Sequence, residues 1–477
     1  MIPIANPTSR VRFGHSRVEI TPPVGIYHRM WGAARHDRAT GVHRPLFADV
    51  LAFQPLDASE PPAIRALLDS VGVARTQYDS LVSTLAAGAG TGEEQVVVTF
   101  SHSHSAGFYV PDRAELPGGE LIAPFLTELS ARLRAAAGQA VSDLKDAVIQ
   151  YGTGRCSMAA NRDFRDVERG IYACGFNPAG TPDQTVVAAR IIRPDGVLRA
   201  TLVNYGCHPT TLAWENTLLS PDYPGATREV VEAATGAPCV FALSPCGDLG
   251  PRHGLVGDPG VADQNGRQLG YAALEVLESL DPPGADFAYR GPVISGATLG
   301  DWRPAPQEAP RVAATQAYAA AKFTVDLPLK SLPTAAELES RRRDWEQRQR
   351  DSDAAGDTAA ARDAGAQAER ARRWLGRIAD LPRDGLYPVT GSCLRLGDAA
   401  WVTCGGEPYS ELQTALRRRF PNLTLIVSPL AGALQVAYLL PRDRYGLGLY
   451  QEEPSPLAPG CLEALTDALE AKLRRLL

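Results

Sequence analysis

The chain has 477 residues, 44% of them apolar and 21% charged, with a formal net charge of −6. This is the composition of a folded globular protein; it excludes a disordered, collagenous or coiled-coil chain and leaves no global basic footprint for nucleic acid. No apolar run approaches the ~18–20 residues of a spanning helix, and the opening MIPIANPTSRVRF lacks the apolar stretch of a secretory signal, so a cytoplasmic protein without a transmembrane segment is expected.

In chain order, VRFGHSRVEI and FADVLAF read as short strands in a turn-rich opening. Residues 60–92 read as helices that end in AAGAGTGEE. EQVVVTF is a β-branched run bounded by turn signals, the pattern of a buried strand; it leads into Ser101-His102-Ser103-His104-Ser105. Residues 120–145 read as an amphipathic helix, followed by the strands DAVIQYGTG, TVVAARIIR and LRATLVNYG. The last of these runs into Cys207-His208-Pro209-Thr210. A helix near 225–235, the strand APCVFAL and a helix over 262–280 come next.

Residues 333–378 stand apart, being rich in Arg, Ala, Asp, Glu and Gln. Thr334-x-x-Glu337 matches a capping box, and Ala354-Ala355-Gly356-Asp357 breaks the run. This predicts a polar helical hairpin. Its clusters Arg341–Arg343 and Arg370–Arg373 read as a solvated face with intrahelical ion pairs. Strand and tight turn return in CLRLGDAAWVTCGGE, then the strand PNLTLIVSPL and a capped helix, CLEALTDALEAKLRRLL. No long linker or internal repeat divides the chain. The expected fold is α/β mixed: one large catalytic domain of mixed β-sheets flanked by helices, with the 333–378 hairpin as an insertion.

There are eight cysteines and no Cys-x-x-Cys pair, so no zinc ribbon or thioredoxin motif is expected and the thiols read as reduced. Among eight histidines, His102, His104 and His208 sit where strands end. Residues i and i+2 of a strand share a face, so His102 and His104 converge if the strand continues through them. Glu407 follows an apolar strand in a Gly-rich turn; it reads either as a ligand or base, or as a cap for a helix starting at Tyr409. Two histidines and a carboxylate are a common catalytic zinc set. Asn161-Arg162, Gly247-Asp248 and Asp222 lie in similar turns, where turn chemistry alone explains them. Asp222 and Asp248 are also candidates for a second metal.

ITPPVG behind Glu19, GVHRPLFADVLAF, FSHSHSAG, AANR, VNYGCHPT, CGDLGP and GGEPYSEL follow one another from near residue 18. Tyr438, Tyr445 and Tyr450 complete the series, seven and five residues apart. In this order they resemble the successive motifs of the N-terminal catalytic domain of the neutral/alkaline (non-lysosomal) ceramidases. The resemblance implies a zinc amidase. By position, His102, His208, Glu407 and Tyr438 would hold Zn2+, His104 would handle protons, and Arg162 and Tyr450 would bind substrate and stabilise the oxyanion. It implies a small-molecule N-acyl or lipid-like substrate and no organic cofactor.

The chain departs from that pattern in three places. Gly250 stands where the family has a serine, which rules out a serine nucleophile there. The β-sandwich domain that large members carry after the catalytic one is not expected. The 333–378 hairpin matches none of the motifs. Three other readings compete: an ester or lactone hydrolase on the same site, a barrel amidohydrolase built on His-x-His, and a non-catalytic binding protein. The barrel ranks low because its motif belongs on the first strand, whereas His102 follows about a hundred residues of chain.

Overall fold

The structure is a computed structural model that describes residues 4–477. In its large sheet are eight strands: β1 (Thr8–Glu19), β2 (Phe47–Gln54), β3 (Ala63–Leu68), β4 (Val96–Phe100), β5 (Lys145–Arg155), β6 (Thr185–Ile192), β7 (Leu198–Tyr205) and β8 (Cys239–Leu243). Across the sheet the order is β8-β7-β6-β5-β1-β2-β3-β4. Only β3–β4 and β7–β8, at its two ends, are parallel pairs. Parallel neighbours need a crossover. Helix α1 (Arg75–Ala89) supplies one, and α2 (Ile122–Ser142), α3 (Tyr223–Thr235) and α4 (Pro259–Glu278) follow, with α3 forming the second crossover.

These four helices cover one face of the sheet. On the other face lies a four-stranded sheet of β9 (Tyr318–Pro328), β10 (Leu386–Leu396), β11 (Ala399–Cys404) and β12 (Thr424–Ser428), in that order. The period-two alternation of strands divides the apolar residues between the two cores. On β2, Ala48, Val50 and Ala52 meet the helices, whereas Leu51 and Phe53 face the small sheet. Phe53 meets Trp401 there, with ring centroids 6.0 Å apart. Two later helices, residues 411–419 and 461–476, close the outer face of the small sheet. The result is helix, sheet, sheet, helix, as the mixed α/β reading expects. The large sheet also coils until its edge strands β4 and β8 approach each other. That coil brings loops from opposite edges together.

Two sequence expectations change. Residues 60–74 are not helical, because AIRALL is β3. Ala and Leu favour helix in isolation, but β2 pairs with one edge of this segment and β4 with the other. The C-terminal helix starts after Gly460 without a side-chain cap. Residues 281–332, which carry none of the sequence signals above, hold a mostly exposed two-stranded hairpin, Ala285–Ile294 with Thr298–Pro306, and then β9.

Close approach explains one glycine. A Cβ on Gly14 of β1 would stand 1.9 Å from the Ala140 carbonyl oxygen of α2, so the helix lies directly on the strand. Gly14→Ala is expected to destabilise the fold by about 1–3 kcal/mol, the usual cost of overpacking. Urea denaturation reads this, and an unchanged midpoint would contradict it.

The hairpin exists as α5 (Ala335–Ala354) and α6 (Thr358–Ala379). Thr334 and Glu337 form the expected capping box, the Glu337 amide donating to Thr334 Oγ1 at 3.2 Å and the Thr334 amide to Glu337 Oε2 at 2.8 Å. On α5, Arg342 pairs with Glu339 and Glu346 at 2.9 and 2.8 Å, as a solvated helix should. The solvated reading fails for α6. Buried Ala361, Ala364, Ala368 and Ala371 make an inner stripe too small to register as an apolar face. Glu369 takes both Nη atoms of Arg113, at 2.6 and 3.0 Å, and the Arg373 Nε at 2.7 Å. The Trp374 indole donates to Glu453 at 2.9 Å. Thus α6 is fastened to the body.

Burial works against the Glu369 charge, but Arg373 and Arg113 outweigh it and hold the pKa at about 2. The unfolded carboxylate titrates near 4.5. The stabilisation is therefore complete above that value and is lost as pH falls through about 2; it amounts to ~3 kcal/mol. Glu369→Gln should remove it at neutral pH. Hydrogen exchange over residues 358–379 should then quicken by roughly 100-fold, and unchanged protection would contradict the docking.

Candidate active site

Loops behind β4, β7 and β11 meet at one point. His102 comes two residues after β4 ends, in the left-handed conformation at φ 64°. The strand does not continue through it, so the His-x-His pair converges by a turn and not by strand alternation. The His102 amide donates to Ser70 O at 2.8 Å, and its Nδ1 donates to Val71 O at 2.6 Å. His208 lies beyond β7 with Nδ1 directed to Cys246 O at 3.3 Å. Because a carbonyl only accepts, Nδ1 carries the proton in both rings. Each Nε2 is then a bare lone pair facing inward.

Those two lone pairs face a carboxylate. Glu407 Oε2 lies 3.2 Å from His102 Nε2 and 3.5 Å from His208 Nε2. Both His208 Nε2 and Glu407 Oε2 are buried without a hydrogen-bond partner, as is His104 Nε2. Burial opposes the Glu407 charge, yet the nearby Arg162 guanidinium helps to keep its pKa below the usual carboxylate range. Burial pushes the pKa values of His104 and His208 well down, with the Arg162 guanidinium adding to it, so both rings are neutral. Acceptors gathered in this way need a cation between them. His102, His104 and His208 each offer a ligand atom within 4.8 Å of the others, and they are the only such group of three or more among the described residues. Their ring centroids lie 4.7 to 5.4 Å apart.

Glu407 reaches this point through its turn. Gly406 has φ 78°, and a Cβ there would stand 2.5 Å from the Leu439 side chain. The turn lets Glu407–Pro408 pair in parallel with Tyr438–Leu439. Glu407 is not a helix cap, since that helix begins only at Glu411. Tyr438 is thereby carried beside the histidines, its ring 6.1 Å from that of His208. Burial raises its pKa well above the ordinary value, so the phenol keeps its proton. The Arg162 guanidinium lies over the same ring, with Cζ 5.2 Å from the centroid. Its Nε and Nη2 are held by Gly247 O at 3.1 and 2.6 Å. Tyr450 opens a short 3-10 turn, 5.9 Å from the Tyr438 ring, and is 44% exposed. Tyr450 and the half-buried His104 are thus the members of the group that lie nearest solvent. All seven residues singled out in the sequence come together here.

Asp222 and Asp248 do not form a second metal centre. Asp222 caps α3, accepting the Tyr223 amide at 2.6 Å, and also accepts the Leu212 amide at 2.9 Å. Asp248 is a brace, accepting the Ser410 amide and hydroxyl at 2.6 and 2.8 Å and Asn161 Nδ2 at 3.1 Å. It ties the Arg162 turn to the Glu407 turn. Sequence reasoning missed Gln451, which donates to Gly247 O at 3.2 Å and Asp163 at 2.7 Å. It also missed Trp31, whose ring stands 5.2 Å from that of His104. No local motif marks either residue. Gly250, in place of the family's serine, faces the Arg162 stem, where a Cβ would have 3.7 Å of clearance.

No known family profile matches the chain, and no curated protein matches it in sequence. Solved structures do. A neutral ceramidase from Pseudomonas aeruginosa aligns with 99% of this chain and 75% of its own, with a TM-score of 0.63 and 16% identity. A structure described as a ceramidase complexed with C2 aligns with 99% of this chain and 76% of its own, with a TM-score of 0.63 and 14% identity. The architecture is thus a mixed α/β fold with a histidine-rich centre at its strand ends. More particularly, it is the fold of the neutral ceramidases. Among the described residues no helix is long and apolar enough to cross a membrane.

Proposed function

We propose that this chain is a zinc-dependent hydrolase that cleaves the amide bond of a ceramide-like or other N-acyl substrate. The observation that carries the reading is the buried Glu407 Oε2 facing the bare Nε2 atoms of His102 and His208 at 3.2 and 3.5 Å. The donor set, imidazole nitrogens and a carboxylate, suits zinc. His102, His208 and Glu407 would hold the ion, with Tyr438 beside them. When bound there, zinc supplies Lewis acidity and brings water to a pKa of ~7.

The chain's own residues supply the rest. Val71 O and Cys246 O fix the tautomers and aim of the two imidazoles. The neutral His104, its Nε2 without a hydrogen-bond partner, could take a proton from the attacking water and pass it to the leaving amine nitrogen. Arg162 is locked by the Gly247 carbonyl, and its guanidinium is in place for charge developing on the carbonyl oxygen. Tyr450 adds a neutral hydroxyl donor at the mouth. Trp31, its ring 5.2 Å from that of His104, shields that imidazole from water.

The test is hydrolysis of a matched long-chain amide and ester by zinc-loaded and chelated protein. Amide cleavage that vanishes on chelation and returns with zinc is expected. Cleavage of the ester alone would favour the esterase reading. A protein that holds zinc and cleaves neither would be a binding protein.

A further inference from the structure

Helix α6 brings arginines to the mouth of the site. It bridges the two loops that flank the opening. On one side Arg373 donates to Met30 O, and a Cβ on Gly32 would lie 3.1 Å from the Ala366 side chain; Trp31, between them, stands against His104. On the other side Trp374 and Arg370 reach Glu453, at 2.9 and 3.6 Å, just past the turn that begins at Tyr450. Arg373 and Arg377 are four apart and share a face.

The two arginines are not equivalent. Arg373 is occupied by Glu369, by Met30 O and by the Phe108 ring, 5.4 Å from its Cζ. Arg377 has no carboxylate within 4.0 Å among the described residues, and none of its N–H groups makes a hydrogen bond there. Its Nε is buried and unpartnered. Its one neighbour of note is Trp374, whose ring centroid is 4.9 Å from Cζ. Stacking uses the face of a guanidinium and leaves the N–H edge free. Burial lowers the Arg377 pKa, and Glu453, Glu407 and Tyr450 offset this only in part. The side chain is half-buried, and a buried Nε without an acceptor is costly. A planar fork of this kind matches a carboxylate.

We propose that Arg377 is the anchor for a carboxylate on the substrate, so that the amide cleaved here is an N-acyl amino acid rather than an amide with a neutral headgroup. This rests on the hydrolase reading above. Arg373, already committed, adds charge but no second fork, which favours a carboxylate over a phosphate.

The test is calorimetric binding of two uncleavable ethers to the full zinc-loaded chain: octyloxyacetate, a carboxylate, and 2-octyloxyethanol, its neutral counterpart. The wild type should bind the carboxylate at least ~10-fold more tightly. R377Q should reduce that preference to within about twofold, and R377K, which keeps charge but loses the fork, should fall between. If R377Q does not fold, R377K decides: its preference must drop by at least about threefold. Equal affinities in the wild type would overturn the proposal. So would a preference that survives the substitution, since the carboxylate would then sit on the metal. Neither ether has a scissile bond. A selective carboxylate site in a protein that cleaves no amide would therefore sink the hydrolase reading, and with it the N-acyl amino acid substrate, and leave only the carboxylate anchor at Arg377 standing.

Discussion

Replacing His208 with alanine should remove both the metal and the activity. The ring is fully buried, and its Nδ1 is tied to Cys246 O. Without it, Glu407 Oε2 faces a single bare imidazole nitrogen, that of His102 at 3.2 Å. Zinc content should fall from about one per chain to below about a tenth, because a catalytic zinc needs three protein ligands. Amide hydrolysis should fall by at least ~10³-fold, or about 4 kcal/mol of transition-state stabilisation. The two readouts must move together. A variant that keeps a full complement of zinc, or more than about a tenth of the activity, would contradict the assignment.

Arg162→Lys should separate chemistry from metal binding. Lysine keeps the positive charge but loses the fork that grips Gly247 O through Nε and Nη2, at 3.1 and 2.6 Å. It therefore loses the fixed aim of the remaining donors. With the imidazoles and Glu407 untouched, zinc content should stay near the wild-type level. Loss of one preorganised oxyanion donor costs ~10²–10³ in kcat, and KM should change little. A kcat within about threefold of wild type would remove Arg162 from the reaction. Loss of zinc along with activity would make it a structural support of the metal centre instead.

Much of this architecture could be read from the chain. β4 and β8 were legible as short apolar runs bounded by turns, because each is buried on both faces. The hairpin at 333–378 announced itself through Thr334, Glu337 and the break at Gly356. The seven candidate residues, which lie together in the structure, could be singled out because His102, His208 and Glu407 each follow a buried strand and the flanking motifs stand in order. What the sequence concealed depends on distant contacts. β3 was read as helix because its two pairing partners lie elsewhere in the chain. The meeting of His102 with His208 depends on the coil of the large sheet, which no local pattern encodes. Asp248 looked like a turn residue or a stray ligand; its role as a brace emerges only when Ser410 and Asn161 arrive beside it. The docking of α6 was hidden for the same reason. Glu369 and Arg373 read as one of many intrahelical pairs, and the buried Arg113 that makes the pair matter lies far away in sequence.

The most direct test of the account is an anomalous difference map from crystals of the zinc-loaded chain, collected at the zinc absorption edge. One strong peak is expected among His102 Nε2, His208 Nε2 and Glu407 Oε2, with zinc–nitrogen distances of ~2.0–2.1 Å. The distance from that peak to His104 Nε2 decides whether His104 is a ligand or stands free to move protons. A zinc-treated crystal with no peak between these side chains would contradict the central claim.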